Sequence, residues 1–123
     1  MNAHSLYAFY GTLRKGMENH YMLGPETQYL GRVKLPGYKL FSLVDYPYAV
    51  KSRSLSDMIV AELFFIPDKA VQQYIHSMEL DAGYYYYEII LEGKRYGIYL
   101  FSEERKEHDQ IISGDWVEFS HRK

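Results

Sequence analysis

One stretch of this chain is patterned for a helix, and nearly everything around it is patterned for strands. After Pro67-Asp68, the residues Ala70, Val71, Tyr74, Ile75 and Met78 recur at helical spacing and form one stripe. The helix is expected to end near Leu80, ahead of Gly83. On both sides lie short runs of aromatic and β-branched residues, broken by glycine, proline and aspartate. Residues 5–10, 28–35 and 38–44 read as strands, and Asp45-Tyr46-Pro47 breaks the third. Residues 58–66 are apolar at every position but Glu62, as in a strand covered on both faces. Beyond the helix, residues 84–91 and 95–101 form two more β runs across a hairpin turn at Glu92-Gly93-Lys94. A single helix between two groups of strands makes the class α+β.

The first run ends abruptly. Tyr7-Ala8-Phe9-Tyr10 stops at Gly11, and Thr12, Leu13, Arg14 and Lys15 follow. Glycine allows backbone angles that a side chain forbids. A strand that turns sharply here leaves the amides of residues 11–14 pointing into space, where they can hold an anion or a developing oxyanion. Residues 16–23 can hold a short helical turn, closed by Gly24-Pro25, and residues 51–57 read as an exposed polar loop.

Several function classes are excluded by composition. At 123 residues, the chain has room for one domain, residues 1–123, and not for two. The net charge is −2 with no basic block before the last few residues, so capture of nucleic acid is not expected. There is no cysteine, hence no disulfide scaffold, thiolate zinc site or cysteine nucleophile. His4, His20, His76, His108 and His121 lack the spacing of metal ligands. Ser5, Thr12 and Ser113 lack a His–Asp pairing in sequence. No apolar signal region opens the chain, and no segment nears the roughly 20 apolar residues of a membrane span. A cytoplasmic protein without membrane contact is the expectation. The 14 tyrosines suit a polar-lined cavity, because each packs like an apolar residue and keeps a hydroxyl.

Tyr10-Gly11-Thr12-Leu13-Arg14 resembles the YGSLR/YGTLR signature of the gamma-glutamylcyclotransferase-like family. Later stretches match in order. Ala61-Glu62-Leu63-Phe64 is similar to the family's GEVY-like strand, and Ile75-His76-Ser77-Met78-Glu79 occupies the place of its LDxxEG-like stretch. Ser113-Gly114-Asp115-Trp116 resembles the SGDW ending of bacterial members, with the sole Trp expected to cap one end of the core. The resemblance covers most of the chain. It implies a small mixed β-barrel with one or two packed helices and a cavity at the signature loop. It also implies cyclisation of a gamma-glutamyl amine or amide to 5-oxoproline with release of the free amine, a reaction that needs no metal or cofactor. A monomer or weak homodimer acting on a small molecule is the matching expectation. The chain departs from the family pattern at three positions: His76 replaces the usual Asp, Leu80 the frequent Gly, and Tyr87 the Arg of a Tyr-x-Arg pair.

Glu79 is the first candidate for the catalytic base. It lies four residues after Ile75 at the edge of the apolar stripe, where partial desolvation raises a carboxylate's pKa towards neutral. Asp81 is the alternative. The substrate-binding set is Tyr10, Gly11, Thr12, Leu13 and Arg14 from the signature, with Tyr85 from the tyrosine run. Glu62, inside an apolar strand, must be paired or face a polar cavity, with Arg14 or Arg32 as partner. Asn19 is expected to fix the loop by a hydrogen bond, and His20 is a weaker candidate acid. Two competing readings stand beside the enzyme: a non-catalytic binder of small carboxylates with the same cavity, and a partner-binding domain whose barrel is filled and dry.

Overall fold

The computed structural model describes residues 5–122; His4 and Lys123 lie outside them. Its elements are β1 (Leu6–Phe9), a short 3-10 helix (His20–Leu23), β2 (Gln28–Pro36), β3 (Tyr38–Ser42), β4 (Pro47–Lys51), β5 (Met58–Phe65), α1 (Lys69–Asp81), β6 (Tyr85–Leu91), β7 (Lys94–Leu100) and α2 (Trp116–His121). Five strands form one sheet in the order β2-β5-β1-β7-β6. The β1–β7 pair is parallel and the other neighbours are antiparallel. β3 and β4 form a separate two-stranded sheet.

The α+β class is the one expected, but the strands do not close into a barrel. β2 and β6 remain as edges of the larger sheet. Closure needs a continuous staggered hydrogen-bond ladder around the ring. The β3–β4 hairpin instead meets its surroundings through side chains and single backbone bonds, such as Phe101 N–H to the Ala49 carbonyl at 2.9 Å.

The sheet separates two apolar clusters, which explains why residues 58–66 are apolar at every position but Glu62. Along β1 and the residue that follows it, Ala8 and Tyr10 pack into one cluster while Tyr7 and Phe9 pack into the other. β5 divides in the same way, with Ile59, Ala61 and Leu63 on one side and Phe64 on the other. Alternate side chains of a strand point to opposite faces, so a strand covered on both sides is apolar on both, save where a buried ion pair compensates, as Arg14 does for Glu62.

α1 starts where expected, because the Asp68 side chain accepts a bond from the Ala70 amide at 2.9 Å. Its buried stripe is narrower than the sequence suggests. Ile75 is fully buried and Val71 and Met78 pack against the second cluster, but Ala70 and Tyr74 are exposed. The β6–β7 turn is the expected one, with Leu91 paired to Lys94 and Glu92 and Gly93 both at positive φ. Two elements go beyond the sequence reading. β4 starts at Pro47, inside the apparent break, and α2 closes the chain. Asp115 caps α2 by accepting from the Glu118 amide at 3.2 Å, and Trp116 is buried in the first cluster, capping it as expected. Among the described residues, no helix is long and apolar enough to cross a membrane.

Candidate active site

A cavity of about 360 Å³ opens where β1 ends, a size suited to a small metabolite. Four parts of the chain wall it: residues 8–13 at and just after the end of β1, Glu18 and Asn19 after the signature, Asp45 and Tyr46 before β4 with Pro47 at its start, and Met78, Glu79, Ala82 and Tyr84 around the end of α1. Tyr99 of β7 completes it. The described residues that line the cavity include three carboxylates and no Lys, Arg or His.

Glu79 projects from the last turn of α1, next to Met78, which packs on the second cluster. Burial raises its pKa from 4.5 to about 7, because a charge is poorly solvated there. Its position near the negative end of the helix dipole acts in the same direction. Among the described residues, nothing forms a hydrogen bond or ion pair with this carboxylate. A partly buried acid without a cationic partner is poised to take a proton near neutral pH.

Across the cavity stands the turn after β1. The Arg14 amide bonds back to the Gly11 carbonyl at 3.1 Å, which makes the turn tight. The Gly11, Thr12 and Leu13 amides donate to no acceptor among the described residues. Gly11 is needed for a reason other than the expected one. It does not take a positive φ; instead, a Cβ there would lie 3.0 Å from both Cγ and Cδ of Pro47. Asn19 braces the turn as expected, its Nδ2 donating to Thr12 Oγ1 at 2.9 Å and its amide to the Thr12 carbonyl at 3.1 Å. His20 Nδ1 lies 2.9 Å from the Leu13 carbonyl and does not line the cavity.

The structure thus brings Glu79, Tyr10, Gly11, Thr12 and Leu13 together around one hollow. Arg14 and Tyr85 are not in its wall. Arg14 is buried with Nε 2.8 Å from Glu62 Oε2 and Nη1 2.8 Å from Asp115 Oδ1, so Glu62 is neutralised by the first of its two proposed partners. Tyr85 packs with Tyr87 against the first cluster, while Tyr84 lines the cavity and donates to the Pro47 carbonyl at 2.6 Å. Four consecutive tyrosines alternate between faces, and only packing decides which pair turns inward. Asp81 is exposed and lies outside the cavity.

Tyr10 contributes its ring rather than a free hydroxyl. Its Oη donates to the Tyr99 carbonyl at 2.6 Å and accepts from the Ala49 amide at 3.0 Å, tying the end of β1 to β7 and β4. Tyr99, Glu18 and the residues 45–47 are wall residues that sequence reasoning missed. Tyr99 sits in a strand buried continuously from Tyr96 to Leu100, and its Oη lies 2.9 Å from His76 Nδ1. Burial raises the pKa of Tyr10, Tyr84 and Tyr99, which keeps all three protonated. No three His, Asp or Glu side chains among the described residues are gathered to hold a metal.

Comparison with known proteins gives this geometry a family. Residues 7–118 match the family described as gamma-glutamyl cyclotransferase, AIG2-like. A Vibrio cholerae protein with a provisional gamma-glutamylcyclotransferase name is 29% identical over 118 residues, covering 89% of this chain and 92% of that one. A Pyrococcus horikoshii protein with a name of the same kind is 36% identical over 83 residues, 67% of this chain and 66% of its own. The crystal structure of an uncharacterised protein from P. horikoshii superposes with a TM-score of 0.80 at 28% identity, over 97% of this chain and 95% of that chain. The solution structure of ytfP from Escherichia coli shares the fold, with a TM-score of 0.68 at 23% identity, over 94% of this chain and 98% of that one. With its signature turn facing a helix-borne acid across a cavity, the chain belongs to the AIG2-like gamma-glutamyl cyclotransferase family.

Proposed function

We propose that the protein cyclises a gamma-glutamyl amine or amide to 5-oxoproline and releases the free amine. One observation carries this reading: a carboxylate with a pKa of about 7 shares a cavity with three residues whose backbone amides have no acceptor among the described residues. The substrate carries both reactants, an α-amine and a γ-carbonyl. The protein therefore has to fold the substrate, move protons and stabilise charge. The Glu79 carboxylate takes a proton from the substrate α-ammonium. The freed nitrogen attacks the γ-carbon, the carbonyl electrons move onto oxygen, and the amides of residues 11–13 stabilise that oxyanion. As the oxyanion collapses, the bond to the leaving nitrogen breaks and protonated Glu79 returns its proton there; the second proton of the ring nitrogen then passes through Glu79 to the departing amine, which leaves as an ammonium. Water is neither consumed nor produced. With no Lys or Arg in the described wall, the same amides and Asn19 are the donors for the substrate carboxylate. The protein would act on a small molecule as a monomer or weak homodimer in the cytoplasm.

Glu79→Gln tests the reading. Release of 5-oxoproline from a panel of gamma-glutamyl compounds should fall by about a hundredfold or more while the fold survives. Activity near wild type would remove Glu79 from the mechanism. The second reading, a non-catalytic binder of small carboxylates, draws on His76, Leu80 and Tyr87, the three departures from the family pattern. Thermal stabilisation by small carboxylic acids, with no turnover of any gamma-glutamyl compound by the wild type, would favour it.

A further inference from the structure

We infer that Asp115, acting through Arg14, is a positioning residue that aims the turn amides of residues 11–13 into the cavity; this rests on the cyclotransferase reading. Arg14 follows those amides directly and is 2% exposed. Its guanidinium is gripped from two sides, by Glu62 of β5 through Nε and by Asp115 at the head of α2 through Nη1, both at 2.8 Å. Glu62 uses its second oxygen to accept from the Lys15 amide at 2.7 Å. The turn is thus bound on its far side by a rigid, planar fork. Its other braces, Asn19 on Thr12 and His20 on Leu13, come from within seven residues and move with the loop. Among the described residues, the bonds that tie this turn to distant parts of the chain through a side chain are those of Arg14 and Lys15.

Asp115 is itself held firmly. Its oxygen also caps α2 through the Glu118 amide, and the preceding Gly114 carbonyl accepts from the Val60 amide of β5 at 2.8 Å. Partial burial disfavours the Asp115 charge, but bonds from Arg14 and the Glu118 amide, with the nearby charge of Arg32, outweigh it and hold the carboxyl below its usual range. Buried ion pairs add little net stability, because desolvation offsets the attraction. What such a pair supplies is direction. The cavity needs its amides aimed within a fraction of an ångström, and a misplacement of about 1 Å can cost on the order of a hundredfold in rate. The opening signature and the closing Ser-Gly-Asp-Trp motif therefore serve one site, although Asp115 touches neither the cavity nor a substrate.

Two substitutions separate aiming from capping. Asp115→Ser keeps a good helix cap but is too short to reach Arg14. Asp115→Asn keeps both the cap and an acceptor for Nη1. The serine variant should lose about tenfold or more in kcat/KM per folded molecule and shift the backbone amide NMR signals of Gly11, Thr12 and Leu13, and the asparagine variant should recover much of both. Should the serine variant not fold, Arg14→Lys, which keeps the charge and loses the fork, should give the same loss and the same shifts. Wild-type kcat/KM and unmoved amide signals in a folded variant would overturn the inference. A wild-type protein that turns over no gamma-glutamyl compound overturns the cyclotransferase reading instead, and the amide signals alone then decide whether Asp115 aims the turn.

Discussion

Glu79 shows what one residue contributes and what it costs the fold. Burial makes the folded protein hold this proton up to a pH of about 7, while the unfolded chain gives it up near 4.5. Stability present below the unfolded value is therefore lost as pH rises through the folded one. The whole shift corresponds to on the order of 3 kcal/mol as an upper figure. In urea titrations, Glu79→Gln should match the wild type near about pH 4 and be more stable by on the order of 2 kcal/mol at about pH 8.5. Equal stabilities at both pH values would contradict the buried, unpaired carboxylate. The same group should shape catalysis: kcat/KM of the wild type is expected to rise through a pH of about 7 as Glu79 ionises, and an acid limb near 4.5 would place the base in a solvated setting.

At the scale of elements, α1 matters because it ends where the cavity begins. Ile75, one turn ahead of Glu79, is the helix residue that is fully buried and fastens the helix to the sheet. Ile75→Ala should cost about 3 kcal/mol in denaturant unfolding, from lost burial and the cavity left behind. Tyr74, which the spacing alone places on the same stripe, is 56% exposed, so Tyr74→Ala should change stability by less than about 1 kcal/mol. Similar losses at both positions would mean that the helix lies on the sheet by a different face. Periodicity located α1 to within a residue or so, because an N-cap and a helical stripe are local properties. It could not tell which edge of the stripe meets the sheet, since that depends on neighbours distant in sequence.

On the scale of the whole molecule, the end of the chain locks the start. Gly114 has a φ of +71°, and a Cβ there would sit 1.9 Å from the Met58 carbonyl oxygen, so only glycine fits between α2 and β5. Gly114→Ala should destabilise the protein by more than about 3 kcal/mol or prevent folding, as read by thermal melting. A variant that melts with the wild type would show that α2 docks elsewhere. The open sheet belongs to this scale too. Which strand lies beside β1 is decided by packing across it, so sequence order did not reveal the parallel β1–β7 pair or the free edges at β2 and β6.

Local physics was enough to read several features from the residues in order: the run of strands, the single long helix, the β6–β7 turn, the sharp end of β1 at Gly11 and the candidacy of Glu79. Each depends on neighbours within a few positions, on side-chain alternation, or on a motif a few residues long. Tertiary structure alone decided the rest. It turned Tyr84 rather than Tyr85 towards the cavity, and drew Arg14 away from the cavity to Glu62 and Asp115. It also left the sheet open and brought Pro47 against Gly11. These outcomes depend on which groups from distant parts of the chain compete for the same space and the same charge, and no local pattern carries that information.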